Sequence, residues 1–388
     1  MKIGIDARNI LNPDKGEAIG AGHYTYQLIR HLLKMDEINK YVLFFDYRVR
    51  EKDVKKFSKK NVKIKFYPFS DYKKYLPGAY SEILGTATLS KEKLDVLHTT
   101  SPLSRIPASY RGKTIATIYD LATIKVPEAF PPLVRAKAKA MLSFAIKKAD
   151  KLISVSQSTK NDICDIFKIP KDKIQVIYSG YDKRLSEKST IARTEILKRY
   201  NLSIDEKYIL FLGTIEPVKN IARLLEAFAI FRKKFFAEKK TFNYKLIIAG
   251  KRGWLATEHK QMAKDLEIEK DLIFTGYVVG DDVPALFSQA DFFVMPSLYE
   301  GFGTTVLEAF ATGVPAILSN VSSIPEIAGD AAKLINPFDV KEIANAMFDF
   351  SQNEDLKNGY QEKGYLQVEK FNWEKCAKET LDLYKSLK

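Results

Sequence analysis

Short apolar runs alternate with amphipathic helical patterns along almost the whole chain, and such alternation dictates a largely parallel sheet covered by helices on both faces. Runs at 2–6, 41–45, 62–67, 94–98, 114–119, 151–155 and 174–178 read as strands, with helical patterns at 20–34, 53–59, 79–90, 133–148 and 158–167. Over 20–34 the apolar side is formed by Tyr26, Ile29, Leu32 and Leu33. A charged stretch at 183–206, short of large apolar residues apart from one helix-like turn, interrupts the pattern and reads as a connector. The alternation then restarts, with strands at 208–212, 246–249, 272–275, 292–295 and 314–318 and helices at 220–235, 255–266 and 283–289. The fold class is therefore α/β, with two doubly wound halves: residues 1–182 and residues 183–372. At 388 residues each half is near ordinary domain size. A ligand is expected in a central cleft between them, a favoured place for small-molecule sites.

Composition narrows the setting. No apolar run approaches the roughly 20 residues of a membrane span, and the N-terminus enters a strand pattern without a signal-peptide core. Cys164 and Cys376 lie far apart without metal-like spacing and read as packed thiols on helices. A cytoplasmic location is expected. The net charge of +14 is unevenly spread. Residues 1–182 hold 33 Lys and Arg against 19 Asp and Glu, whereas the remainder holds 29 of each. Any acidic partner is expected to meet the first half.

The candidate site centres on 296–320, PSLYEGFGTTVLEAFATGVPAILSN. A glycine-rich turn follows the strand at 292–295, and ligands of open α/β sheets bind at carboxyl ends of strands. Glu300 and Glu308 flank the turn, which suits a ligand carrying hydroxyls as well as phosphate. Thr305 and Glu308 also have the spacing of a helix capping box, which would leave Glu308 a purely structural role. Lys219, in GTIEPVKN after the strand at 208–212, stands before a helix N-terminus suited to phosphate. Arg252 follows the next strand and could complete an anion clamp; Gly276 and Val278 end a third strand where a base could lie. In the first half, Gly20 and Gly22 permit close backbone approach. Asp120 and His98 end buried strands, facing a cleft or capping a turn. The chain has no P-loop, no nucleophile elbow and no Asp-x-Asp pair, and its first loop is too long for a dinucleotide fingerprint. With four histidines and no clustered cysteines, neither a metal nor another cofactor is expected.

Together, Glu300 and Glu308 with GFG between them, GTIEPVKN, AGKRGW, FTGYV, ADFFVMPS and ATGVPAILSNVSSIPEIAGDAA resemble the family 4 retaining glycosyltransferases of the GT-B fold. The resemblance runs almost end to end, strongest over 210–339. It implies two Rossmann-like domains facing a cleft, an acceptor-binding one at 1–182 and a nucleotide-sugar-binding one at 183–372. A last helix at 373–388 would return to the first. It also implies metal-independent transfer of a hexose from GDP-mannose or a UDP-sugar to a glycan or lipid-linked acceptor. By the same resemblance Glu300 touches donor-sugar hydroxyls and, with Asp120, serves catalysis; Glu308 holds the ribose hydroxyls. Lys219 and Arg252 bind the diphosphate, with Phe302, Gly303, Thr304, Gly20 and Gly22 contributing to the donor site and Val278 against the base. The expected chemistry is front-face retention, the departing diphosphate helping to deprotonate the acceptor.

Three positions depart from the family pattern: Val218 where many relatives have a basic residue, Tyr119 where a His is frequent, and His23 where an Arg is usual. A nucleotide-sugar epimerase or hydrolase on the same scaffold is the first rival. A nucleic-acid binder is the second, although no basic stripe is interleaved with aromatics. The basic stretches 48–65 and 135–148 suggest contact with anionic lipid, a lipid diphosphate or an acidic glycan, and hence a peripheral position on the inner face of the membrane. A lysine-rich solvated surface explains them equally well.

Overall fold

In the computed structural model, residues 1–11, 20–67, 78–101, 106–186, 191, 193–203, 205–251, 256–278, 280 and 282–387 are described. The chain forms two compact units. The first comprises Met1–Leu121, Pro132–Gly180 and Asn372–Lys388; the second comprises Ala122–Pro131 and Tyr181–Phe371.

The first unit is built on seven parallel strands: β1 (Lys2–Asp6), β2 (Lys40–Asp46), β3 (Val62–Tyr67), β4 (Val96–Thr99), β5 (Thr114–Ile118), β6 (Lys151–Ser154) and β7 (Ile174–Val176). Their spatial order is β3-β2-β1-β4-β5-β6-β7. The second has six: β8 (Lys207–Leu212), β9 (Tyr244–Ala249), β10 (Leu272–Gly276), β11 (Phe292–Met295), β12 (Ala316–Ser319) and β13 (Lys333–Ile335). These run β10-β9-β8-β11-β12-β13, again all parallel. Continuous apolar runs make these strands because both faces are covered: Val42 to Phe45 and Tyr208 to Phe211 are wholly buried. Each sheet reverses strand order once, at β1/β4 and at β8/β11. The crevice beyond the carboxyl ends of such a strand pair is where doubly wound sheets take ligands.

Three boundaries differ from the sequence reading. Residues 183–206 are no free connector: Lys183–Ser186 forms a 3-10 turn and Arg193–Arg199 a helix that buries Ile196 and Leu197, all within the second unit. The helix-like turn is legible in the sequence, but its burial within the second unit is not. Residues 122–131, expected in the first half, are folded into the second unit. The strand β13 has only three residues, too short for a period-2 signal.

The helix Trp373–Lys385 belongs to the first unit and packs on the helix Gly20–Met35. Trp373 lies edge-on to Tyr24 at 5.6 Å, and an added Cβ at Gly180 would stand 2.3 Å from the Trp373 backbone nitrogen. Tyr384, near the end of the same helix, meets His98 Nδ1 through its hydroxyl at 2.7 Å. Burial pushes the Cys376 thiol on this helix up to about 12, so it is an unreactive packed group.

Candidate active site

The loops that follow β8 and β11, the two strands at the switch point of the second unit, are bonded directly to each other. Leu298 N donates to Val218 O at 2.8 Å, and Asn220 Nδ2 donates to Pro296 O at 3.0 Å and to Pro337 O at 2.7 Å. Asn220 has a left-handed backbone (φ 60°), which asparagine tolerates better than most residues. These bonds bring Lys219 and Glu300 together: Lys219 Nζ donates to Glu300 Oε1 at 2.6 Å. Both side chains are mostly buried, at 23% and 12% exposure. Glu300 is also held through its backbone, its N–H donating to Ser322 Oγ at 2.8 Å and its carbonyl accepting from Ser323 Oγ at 2.9 Å. Asn220, Ser322 and Ser323 are not among the expected site residues; the available signals are Asn220's place directly after Lys219 and, for the serines, the polar cluster NVSSIP after β12.

The capping reading of Glu308 does not hold. The helix spans Thr304–Ala311 with Gly303 (φ 87°) at its N-cap and no side-chain cap, so Thr305 lies inside the helix and Glu308 is its fifth residue. The left-handed backbone of Gly303 (φ 87°) favours glycine, and an added Cβ, 2.8 Å from Ile324 Cδ1, would also require the tip of that side chain to shift. Removal from water, with the negative charge of Asp182 adding to it, pushes the Glu308 carboxyl up to about 7. A hydroxyl donated to Glu308 would favour its ionised form.

The carboxyl ends of β8, β9 and β10 are stitched together beside this pair. Gly213 N bonds Ala249 O, Gly250 N bonds Gly276 O and Ile215 N bonds Lys251 O, at 2.9 to 3.0 Å. The approach is closest at Gly250, where a Cβ would lie 1.8 Å from Gly213 O. Val278 follows β10 and is partly exposed. Thr304 is exposed at the helix start. The Phe302 ring instead turns inward, edge-on to Phe371 at 5.8 Å, which leaves only its backbone for a ligand. Arg252 lies outside the described residues.

In the first unit, Gly20 opens its helix at φ 67° while Gly22 is buried within it. Asp120 is exposed just beyond the carboxyl end of β5. Within the first unit the Tyr119 hydroxyl donates to the Thr100 carbonyl and its ring stands edge-on to Tyr24 at 5.3 Å. His23 lies against Trp373. His98 neither faces a cleft nor caps a turn. It is wholly buried, its Nε2 2.7 Å from Thr117 Oγ1 and its Nδ1 on Tyr384, and burial lowers it to about 3, so it stays neutral. Strand-end position was the only guide in the sequence, and it does not say which way a side chain turns.

Comparison with known proteins identifies the chain. The model for glycosyl transferases group 1 matches residues 192–367, and the model for glycosyltransferase family 4 matches residues 19–185. The O-antigen chain mannosyltransferase B of Escherichia coli is 32% identical over 276 residues, 71% of each chain. The chain belongs to glycosyltransferase family 4. A second relative of this glycosyltransferase, O-antigen chain mannosyltransferase RfbU of Salmonella typhimurium, is 28% identical over 68% of the chain and 66% of its own length. Among solved structures, HepE from Anabaena in complex with UDP and glucose superposes with a TM-score of 0.74 at 16% identity, covering all of both chains. The GT-B fold class read from the sequence is thus borne out.

Proposed function

We propose that this glycosyltransferase moves a hexose from GDP-mannose or a UDP-sugar to a glycan or lipid-linked acceptor, with retention and without a metal. The Lys219–Glu300 pair at the β8/β11 switch point carries the reading. A nucleoside diphosphate seated there meets a full positive charge from Lys219 and the N-terminus of the helix Thr304–Ala311, which together offset the charge of the leaving group. Freed from Lys219, Glu300 accepts hydrogen bonds from sugar hydroxyls, and Glu308 accepts from the ribose. Asp120 and the glycines at 20 and 22 belong to the acceptor-binding unit on this reading. HepE supports a nucleotide-sugar donor, and the two O-antigen mannosyltransferases favour mannose in polysaccharide assembly.

The test is a panel of nucleotide sugars scored by thermal stabilisation and by product formation. A cognate donor at a hundred times its Kd contributes about 2.7 kcal/mol of stability, and Lys219→Ala should erase most of that gain. Donor consumed at full rate with no acceptor present would replace transfer by hydrolysis or epimerisation.

Membrane attachment is proposed through the helix Pro132–Lys148. Its first turns leave Leu133 82% and Val134 43% exposed, with Lys137 and Lys139 also exposed. Part of the other basic stretch is neutralised internally: Arg48 pairs with Asp46, Arg50 with Asp53, and Lys63 and Lys65 with Glu92. No helix among the described residues is long and apolar enough to cross a membrane. Co-sedimentation with anionic vesicles at low salt is expected to fall sharply in the Lys137→Glu/Lys139→Glu variant. Equal binding to neutral vesicles, or none to anionic ones, would end the proposal.

A further inference from the structure

The segment Ala122–Pro131 follows β5 of the first unit after Tyr119, Asp120 and Leu121, yet it is folded into the second. It is short and ordered. A single helical turn, Ala122–Lys125, runs into a 3-10 turn, Pro127–Ala129, with Val126 N bonded to Ala122 O at 2.9 Å and Ala129 N to Val126 O at 3.1 Å. Ala122, Val126 and Ala129 stand at i, i+4 and i+7, so one face is apolar, while Lys125, Pro127 and Glu128 are exposed on the other.

That apolar face sits on two particular residues. Val126 and Ala129 form a buried cluster with Val218 and Tyr299, flanked by Ala122, Phe130 and Leu298. Val218 immediately precedes Lys219 and Tyr299 immediately precedes Glu300. Both loops need such support. Lys219 ends a three-residue 3-10 turn that has no side-chain cap, and the polar brackets on Glu300, Ser322 and Ser323, act only through its backbone. The Leu298–Val218 backbone bond joins the loops at the point where the segment covers them. Val218 thus has a use as an apolar seat at a position where a basic residue would lose it.

We infer that Val126 and Ala129 are positioning residues for the Lys219–Glu300 pair, the segment 122–131 acting as a clamp that holds the β8 and β11 loops in register. This inference rests on the donor-site reading given above. Displacing either loop by about 1 Å can cost on the order of a hundredfold in rate, since diphosphate and sugar hydroxyls must be met together.

The experiment compares Val126→Asp, Val126→Ala and Val126→Ile with Lys219→Ala in the intact chain. Activity is measured per folded molecule, at a temperature where melting curves show every variant fully folded. Val126→Asp is expected to lower kcat at least about tenfold with a smaller change in donor KM, Val126→Ala to fall between, and Val126→Ile to stay within about twofold of the parent. Should Val126→Asp not fold, the Ala and Ile pair gives the same ordering. Unchanged kcat in folded Val126→Ala and Val126→Asp would overturn the clamp. Unchanged kcat in Lys219→Ala would instead overturn the donor-site reading itself, so the two failures are distinct.

Discussion

Lys219→Ala and Glu300→Ala are each expected to lower kcat/KM by about 10²–10³-fold, measured where the variants are folded because either change leaves a mostly buried charge unpaired. The two losses should differ in kind. Lys219→Ala removes the countercharge of the diphosphate and leaves the Glu300 carboxylate mostly buried without its partner, close to where that diphosphate would sit. Donor KM should rise as kcat falls. Glu300→Ala leaves the ammonium of Lys219 free to meet the diphosphate, so donor affinity should hold or improve while kcat collapses. A loss of rate without a loss of binding is the signature of an interaction made only on the way to the transition state. Because the two groups lie 2.6 Å apart, their effects should also be coupled, the double variant losing far less than the product of the single losses. Steady-state kinetics with the cognate donor decide the matter: additive losses would show that the two residues act independently, and near-parental turnover in both single variants would remove the pair from the mechanism.

Much of this site was legible because its chemistry is carried by local patterns. The glycine turn at Gly301 and Gly303, the lysine after β8 and the apolar runs of the second sheet are each visible within a dozen residues. What stayed hidden depends on long-range placement. The chain does not announce that Leu298 bonds Val218, nor that Asn220 reaches Pro337. The side chains of Glu300 and Phe302 are close in sequence, yet one pairs with Lys219 while the other enters the core against Phe371, and no periodicity over so irregular a loop separates them. Glu308 shows the opposite limit: Thr305-x-x-Glu308 satisfied a local rule, but Gly303 is the N-cap, so the helix starts too early for that rule to apply. The excursion at 122–131 was missed for want of length. Three apolar positions on two short turns carry too little signal to tell one sheet's helices from another's.

His98→Ala should destabilise the protein on the order of 4 kcal/mol, through an apolar cavity combined with two hydroxyls, on Thr117 and Tyr384, left in the core without their imidazole partner. The consequence reaches the end of the chain, since Tyr384 lies on the helix Trp373–Lys385 and its bond to His98 is part of what seats that helix on the first unit. His98→Gln separates packing from charge, because glutamine can hydrogen-bond but does not titrate. The sign of the pH effect follows from the lowered value of about 3. Near pH 5 the unfolded chain protonates this histidine, at an ordinary value of about 6.5, whereas the folded chain does not, so stability is complete above about pH 6.5 and is lost progressively as pH falls toward 3. The advantage of the parent over His98→Gln should therefore shrink by about 2 kcal/mol between pH 7.5 and pH 5. Denaturant unfolding at the two pH values measures it. A difference that does not change with pH would show that His98 takes up its proton in the folded state, against the cost of placing a charge in a wholly buried site.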